Sequence, residues 1–388
     1  MIGVDRALEI IKSQETELKT ERVRIENALG RLLVTEIESP IDSPPFAKAA
    51  MDGYAVDSSD TSGSFEVIEV VAAGEVPTGV VTRGKCVRIM TGAMMPEGAD
   101  KVIPVEYTKE EDGIMYPIRE ETRYNVIGKA ENLKKGSKVL SPRVLNPKEI
   151  GIIASMGIDS VEVAKKPVVG VIITGSELKD PGERLKPGQI YNSNGVQLCA
   201  QIGALACKPR YYGIVEDNRD TLNKMISRAS AECDIVLFSG GVSKGDYDFV
   251  PGILEESGFD ILFHRVAMKP GRPTLFGRRG NLFVFGLPGN PVTSFVIFEV
   301  MVKALIFRMA GLKYEPFLIR GRLKRDIRRK KIDRTDFRPV KIDREDIYPV
   351  EYHGSSHINV MAESNALLMI REGIRELKEG DYVDVRPI

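Results

Sequence analysis

The sequence has no tryptophan, and only three histidines and four cysteines in 388 residues. That scarcity leaves few ways to build a soft-ligand metal centre. Cys86, Cys199, Cys207 and Cys233 form no CxxC pair, so neither a zinc site nor a disulfide framework is expected, and the four read as reduced packing residues. His353 and His357 stand four apart, but Gly354 and the serines between them argue for loop or strand rather than a metal-bearing helix. Net charge is missing as well. Lysines and arginines number 55, as do aspartates and glutamates, which argues against a general affinity for nucleic acid or an anionic membrane. No apolar run reaches the length of a spanning helix and the first residues carry no signal-peptide pattern, so the cytoplasm is the expected location. Neither a GxxxxGK[ST] phosphate loop nor a GxGxxG dinucleotide fingerprint occurs.

What is present is a soluble globular composition, 43% hydrophobic and 28% charged, in a chain too long for one core. "VDRALEIIKSQ" places Val4, Ala7, Leu8 and Ile11 on one helical face, and a second helix is expected near "RIENALGRLL". Pro40, Pro44 and Pro45 then mark a boundary. Short strands separated by Gly and Pro turns follow, and "NPKEIGIIASMGIDSVEV" reads as helix then strand. From Val168 the pattern alternates strand and helix, with apolar strands such as "VVGVIITG", "DIVLFSGG" and "NLFVFGL". Asp220 is the capping candidate of one helix, and Asn290 with Pro291 opens another. Uninterrupted apolar strands mean a mostly parallel sheet covered on both faces. The last stretch is strand-like again. Its basic run "RGRLKRDIRRKKIDR" lacks interleaved aromatics and reads as a solvated face of a small β-barrel or sandwich. The expected fold class is therefore α/β plus β, in several domains. Residues 1–45 and 128–165 form a helical or mixed domain, 46–127 an inserted β-rich domain, 166–312 the α/β domain and 313–388 the C-terminal β domain.

In an open parallel sheet, ligands bind outside the carboxyl ends of the strands. Several such ends here are polar or glycine-rich. The first offers Thr174, Gly175, Ser176 and Glu177, the next Glu216 and Asp217, and the third "SGGVSKGDYD". The last offers Pro288, Gly289, Asn290 and Pro291, and "FHRVAMKPGRP" adds Arg265, Lys269 and Arg272. Gly240 and Gly241 let backbone approach a ligand closely, and free N–H groups there and at the Asn290 helix start can hold phosphate oxygens. Lys244, Lys269 and Arg272 could neutralise them. Glu177, Asp217, Asp246 and Asp248 would repel phosphate unless a divalent cation stood between, and oxygen ligands point to magnesium. Each feature alone is commonplace: a tight turn, a helix cap, a solvated carboxylate. Their convergence reads as a phosphate-plus-metal site for a nucleotide or phosphorylated cofactor.

Seven motifs, in order, resemble one family: "SPIDSPPF…MDGYAV", "VRIMTGAMMPEGAD", "VIITGSEL", "GQIYNSN", "SGGVSKGDYD", "MKPGRP" and "GLPGNPVTSF". Over almost the whole chain the sequence resembles the MoeA molybdopterin molybdenumtransferases, which include the E domain of gephyrin. The resemblance implies insertion of molybdate, or tungstate, into the dithiolene of adenylylated molybdopterin, with Mg²⁺-dependent cleavage of the adenylate and release of AMP. It implies an α/β domain like that of the MogA/MoaB adenylyltransferases. It also implies a homodimer with the active site between subunits, and partners among adenylyltransferases of that type and cofactor-accepting enzymes. Carried over by motif, Asp52 and Thr91 come from the inserted domain, and Glu177, Asp217, Asp248 and Lys269 from the α/β domain. Glu177, Asp217 and Asp248 would hold the metal. Ser239, Gly240 and Gly241, with Thr174, Gly175, Ser176, Ser243, Lys244 and Arg272, would bind the phosphorylated pterin, and Pro288, Gly289, Asn290 and Pro291 would shape its pocket.

The chain departs from the family pattern in places. "FAKAA" puts Ala47 where many relatives carry a carboxylate. "YNVIGKAENL" keeps Glu131, but Ile127, Gly128 and Lys129, then Ala130 and Asn132, stand where many relatives have arginines followed by Gly-Glu-Asp. Arg272 replaces a common lysine, which preserves charge but not geometry. Two other readings therefore stand beside the transferase: a non-catalytic pterin- or cofactor-binding scaffold of the same fold, and a nucleotidyltransferase that makes the adenylate itself.

Overall fold

The computed structural model describes residues 1–216, 218–241, 250–352 and 354–388. These divide into two compact units, Met1–Thr20 with Ala164–Ile388, and Glu21–Val163.

The first unit is built on a six-stranded sheet. Its order is Lys208–Val215, Val168–Thr174, Ile235–Ser239, Leu282–Leu287, Leu275–Arg279, Asp260–His264. The first four strands run parallel and the last two join antiparallel. Alternation along each strand sends side chains to opposite faces. Val169, Val171, Ile235, Leu237, Phe283 and Phe285 meet the helices Ser193–Ala204 and Pro291–Ile297 on one face. Ile172, Val236, Phe238 and Val284 meet Arg219–Glu232 and Val250–Glu256 on the other. Two covered faces explain why these strands read as continuous apolar runs.

The helix Val4–Lys12, expected to pack with the 128–165 segment, instead buries Val4, Ala7 and Ile11 in the first of these faces. The helix after residue 217 opens at Arg219. Its cap is Asn218, whose side chain accepts from the Thr221 amide at 2.9 Å, so Asp220 is not the cap but an acidic residue of the first turn. Asn290 precedes Pro291 as expected but makes no side-chain cap bond.

The same unit carries a closed five-stranded barrel. Thr335–Asp343 pairs with Asp346–Pro349, then in turn come Ile319–Leu323, Tyr382–Pro387 and Ala366–Ile370, which pairs back to Thr335–Asp343. Closure leaves no sheet edge among these strands. Its interior is Leu323, Val340, Ile347, Leu368, Ile370 and Val385. A two-residue ladder, Met268 beside Thr335 and Lys269 beside Asp336, ties the barrel to the α/β layer.

The second unit holds another six-stranded sheet, ordered Lys101–Pro104, Gly53–Val56, Lys85–Ile89, Phe65–Val71, Ile114–Pro117, Thr108–Glu111. A separate cluster packs Ala28, Leu33 and Ile37 with Leu140, Ile153 and Val163. The helix expected near "RIENALGRLL" does not form. Thr20–Arg24 is a strand and only Ile25–Asn27 makes a 3₁₀ turn, because the apolar residues there meet the 140–163 segment rather than completing a helical stripe. Among the described residues no helix is long and apolar enough to cross a membrane.

Candidate functional site

The chain runs from the Val168–Thr174 strand to the sheet edge at Lys208–Val215, then back past its start to Ile235–Ser239. This reversal is a topological switch point, where parallel sheets leave a crevice beyond the strand ends. Register makes the clustering concrete: Ile173 is beside Ser239, and Ser239 beside Leu287. The turns starting at Gly175, Gly240 and Pro288 therefore leave the sheet side by side.

Glycine is required at the centre of this floor. Gly240 has φ +102°, and a Cβ there would lie 2.4 Å from the Thr174 carbonyl oxygen and 2.7 Å from its Oγ1. Its amide donates to the Leu287 carbonyl at 3.0 Å. Asn194, six per cent exposed, staples the turns together: its Nδ2 donates to Ser239 Oγ at 2.8 Å and to the Gly289 carbonyl at 2.7 Å. A carbonyl can only accept, which fixes the amide's orientation and leaves Oδ1 buried with no partner. Thr174 Oγ1 is buried and unpartnered too. A buried hydroxyl and a buried amide oxygen with no protein partner on a strand-end floor can be met by water or by a ligand.

Beyond Gly241 opens a cavity of about 600 Å³. Gly241, Lys269 and Arg272 line it, as do Pro288, Gly289 and Asn290, all expected from the sequence. Arg334, Arg338, Tyr352 and Ser355 line it from the barrel side, and these the sequence reading missed. The only signal for Arg334 was the basic run, read as a solvated face; Arg338, Tyr352 and Ser355 lie beyond that run. That reading is corrected for Arg329, which is six per cent exposed, and for Arg334, which faces the cavity. Four cationic side chains around one cavity suit an oxyanion or phosphate. Burial pushes the Tyr352 phenol up to about 12, so it remains a neutral hydroxyl.

Glu177 and Ser176 are exposed at the end of the first strand but are not among the cavity-lining residues. A Cβ on Gly175 would sit 2.9 Å from Glu177 Oε2, so the glycine lets this carboxylate fold back over the strand end. Asp217, Ser243, Lys244 and Asp248 lie outside the described residues. Among the described residues no three His, Cys, Asp or Glu side chains converge on a metal position.

Asp52 and Thr91 belong to the second unit and meet there. Both the amide and the hydroxyl of Thr91 donate to Asp52 Oδ1, at 2.7 and 2.6 Å. The hydroxyl first, then the amide, hold the Asp52 carboxyl below its ordinary value. Gly53 allows this: a Cβ there would fall 2.1 Å from the Ile103 carbonyl oxygen, so only glycine permits the strand approach that fixes Asp52. In the departing segment, Glu131 Oε2 accepts the Gly128 amide at 2.6 Å and Lys129 Nζ lies 3.6 Å from Asp42 Oδ2. Both charges are engaged locally.

Residues 2–157 match the family profile "MoeA N-terminal region (domain I and II)", residues 170–308 the "Probable molybdopterin binding domain" and residues 320–388 the "MoeA C-terminal region (domain IV)". A Staphylococcus epidermidis protein named molybdopterin molybdenumtransferase is 33% identical across 99% of this chain and 95% of its own length. The chain belongs to the MoeA family. A Bacillus subtilis protein of the same name is 37% identical over 79% of this chain and 74% of its own. Two crystal structures of Pyrococcus horikoshii molybdopterin biosynthesis MoeA protein superpose with TM-scores of 0.86 and 0.80. Their identities are 32% and 31%, and they cover all of this chain and 99% and 100% of theirs. MoeA membership places the chain among the transferases of molybdenum cofactor biosynthesis.

Proposed function

We propose that this chain is a molybdopterin molybdenumtransferase of the cytoplasm. It inserts molybdate or tungstate into the dithiolene of adenylylated molybdopterin and releases AMP. The observation that carries the reading is the cavity beyond the Gly241 and Pro288–Asn290 turns, where these turns meet Lys269, Arg272, Arg334 and Arg338. The reaction brings together two kinds of anion, the phosphates of the adenylate and the tetrahedral oxyanion. The dithiolene sulfurs displace oxygens of the oxyanion, and water cleaves the phosphoanhydride to give AMP and the pterin monophosphate.

In this reading the turn at Gly240 and Gly241 brings backbone against the phosphates, with the Gly240 amide already held by the Leu287 carbonyl, and the buried hydroxyl of Thr174, which can donate, completes the floor. The four cations hold oxyanion and phosphate oxygens and exclude a neutral competitor. Magnesium would be held by Glu177 with Asp217 and Asp248, and would supply neutralisation of the departing phosphate. Asp52 and Thr91 would act from the inserted domain. The bonds from Thr91 fall on Oδ1, so Asp52 Oδ2 is the oxygen left to accept from substrate or water. A homodimer with the site between subunits, an adenylyltransferase that supplies the substrate, and enzymes that accept the finished cofactor complete the proposal.

The test is AMP release from adenylylated molybdopterin with Mg²⁺ and either oxyanion. Release should depend on the oxyanion and fall at least about a hundredfold in Lys269→Ala or Asp52→Ala, the scale expected when a group that stabilises developing charge is removed. Pterin binding without release under either oxyanion would establish the scaffold instead. Consumption of ATP with free molybdopterin would establish adenylate synthesis.

A further inference from the structure

Beneath the cavity lies a carboxylate that the proposed reaction does not use. Asp336 is one per cent exposed, and its Oδ2 is shared by three cations: Arg338 Nε donates at 3.0 Å, Arg329 Nε lies at 3.7 Å and Lys269 Nζ at 3.9 Å. Two of these cations, Lys269 and Arg338, also line the cavity. The third does not. Arg329 donates Nη1 to the carbonyls of Arg371 and Ile374 at 2.8 and 3.0 Å, and Nη2 to the carbonyl of Arg334. It thereby anchors the backbone that carries Arg334 to the cavity wall. The Lys269–Asp336 pairing in the ladder places the carboxylate under this wall.

A negative charge next to an anion cavity is at first sight unfavourable, and burying it costs several kcal/mol unless it is compensated. The geometry gives a reason for it. Arg338 meets Asp336 by its inner nitrogen, Nε, which leaves its terminal nitrogens for a ligand. An arginine held at one edge loses less freedom when it binds than one that swings free. Arg329 supplies the compensating charge without using a cavity cation. We propose that Asp336 is a positioning residue: it aims Arg338 and Lys269 at a shared oxyanion, and Arg329 keeps it in place. This rests on reading the cavity as the oxyanion site.

Sign separates positioning from simple charge. Coulomb attraction alone predicts that Asp336→Asn, which removes a negative charge near the anion, binds molybdate more tightly. Positioning predicts about tenfold weaker binding, the loss of one charge-assisted bond's worth of alignment. Titration calorimetry of the full chain with sodium molybdate reads this directly. Asp336→Asn and Arg338→Ala should each weaken binding, and the double variant should lose less than the product of the two, because both act through the same guanidinium. Unchanged or tighter binding by Asp336→Asn, or fully multiplicative losses, would overturn the proposal while the cavity assignment stands. No effect of either Arg338→Ala or Lys269→Ala would remove the cavity assignment and this proposal together. If Asp336→Asn does not fold, Arg338→Lys keeps the charge but loses the Nε anchor. It should bind molybdate about tenfold more weakly, and wild-type binding by it would overturn the proposal.

Discussion

Replacing Gly240 by alanine should damage the floor of the site by two separable effects. The first is conformational: φ +102° is a region that costs an L-residue about 1–2 kcal/mol. The second is steric. The added Cβ would stand 2.4 Å from the Thr174 carbonyl oxygen, which is backbone in a central parallel strand and cannot swing aside as a flexible side chain would. Forcing such an overlap adds about 1–3 kcal/mol. The expected loss is therefore roughly 2–5 kcal/mol. Gly280 supplies the control. It sits in the hairpin turn of the same sheet with φ +58°, and nothing lies within 4 Å of its added Cβ. Gly280→Ala should show only the conformational cost, about 1 kcal/mol. Urea unfolding of both variants, followed by far-ultraviolet circular dichroism, measures the difference. If Gly240→Ala is no worse than Gly280→Ala, the close approach of the two strand-end turns is refuted.

Two further outcomes follow from the second unit. Ala130 adopts φ +59°, a region that favours glycine, so Ala130→Gly should raise stability by about 1 kcal/mol in the same urea assay, and a loss would contradict the assigned backbone. The depressed carboxyl of Asp52 contributes stability that is fully present above the ordinary aspartate range and disappears as pH falls through the folded value. Thr91→Val removes the hydroxyl donor, so the Asp52 carbon resonance should titrate at higher pH; an unmoved titration would show that the hydroxyl is not the cause.

The strand ends of the candidate site were legible because parallel strands announce themselves: "VVGVIIT" and "DIVLFS" are apolar without a break, then stop at glycine. The floor at Thr174, Ser239 and Gly240 was therefore placed from local pattern alone, as were Lys269 and Arg272 in the turn that follows the edge strand. Arg334, Arg338 and Ser355 were not legible. They are separated from the sheet by dozens of residues and reach the cavity only through closure of the barrel and one short ladder, neither of which leaves a local periodicity. Arg329 shows the same limit from the other side. Surrounded by exposed lysines and arginines in sequence, it is buried where the carbonyls of Arg371 and Ile374, beyond the end of a distant barrel strand, accept from it. Asn194 stood inside a recognised motif, yet its role depends on two turns that only the sheet brings together. The segment "VSKGDYDF" holds several of the expected ligands and lies outside the described residues.

The ladder between Met268–Lys269 and Thr335–Asp336 also sets an order of assembly during synthesis. Every strand of the α/β sheet has been translated by Leu287, well before the ribosome reaches the barrel residues that finish the cavity wall. A nascent chain can therefore present its glycine turns and its first two cations while still lacking Arg334, Arg338 and Ser355. A chain clipped before Arg334 would be in the same condition: all its sheet strands present, yet with half the cations of the cavity. Anion capture would thus report on completion of the polypeptide rather than on folding of the domain that carries most of the site.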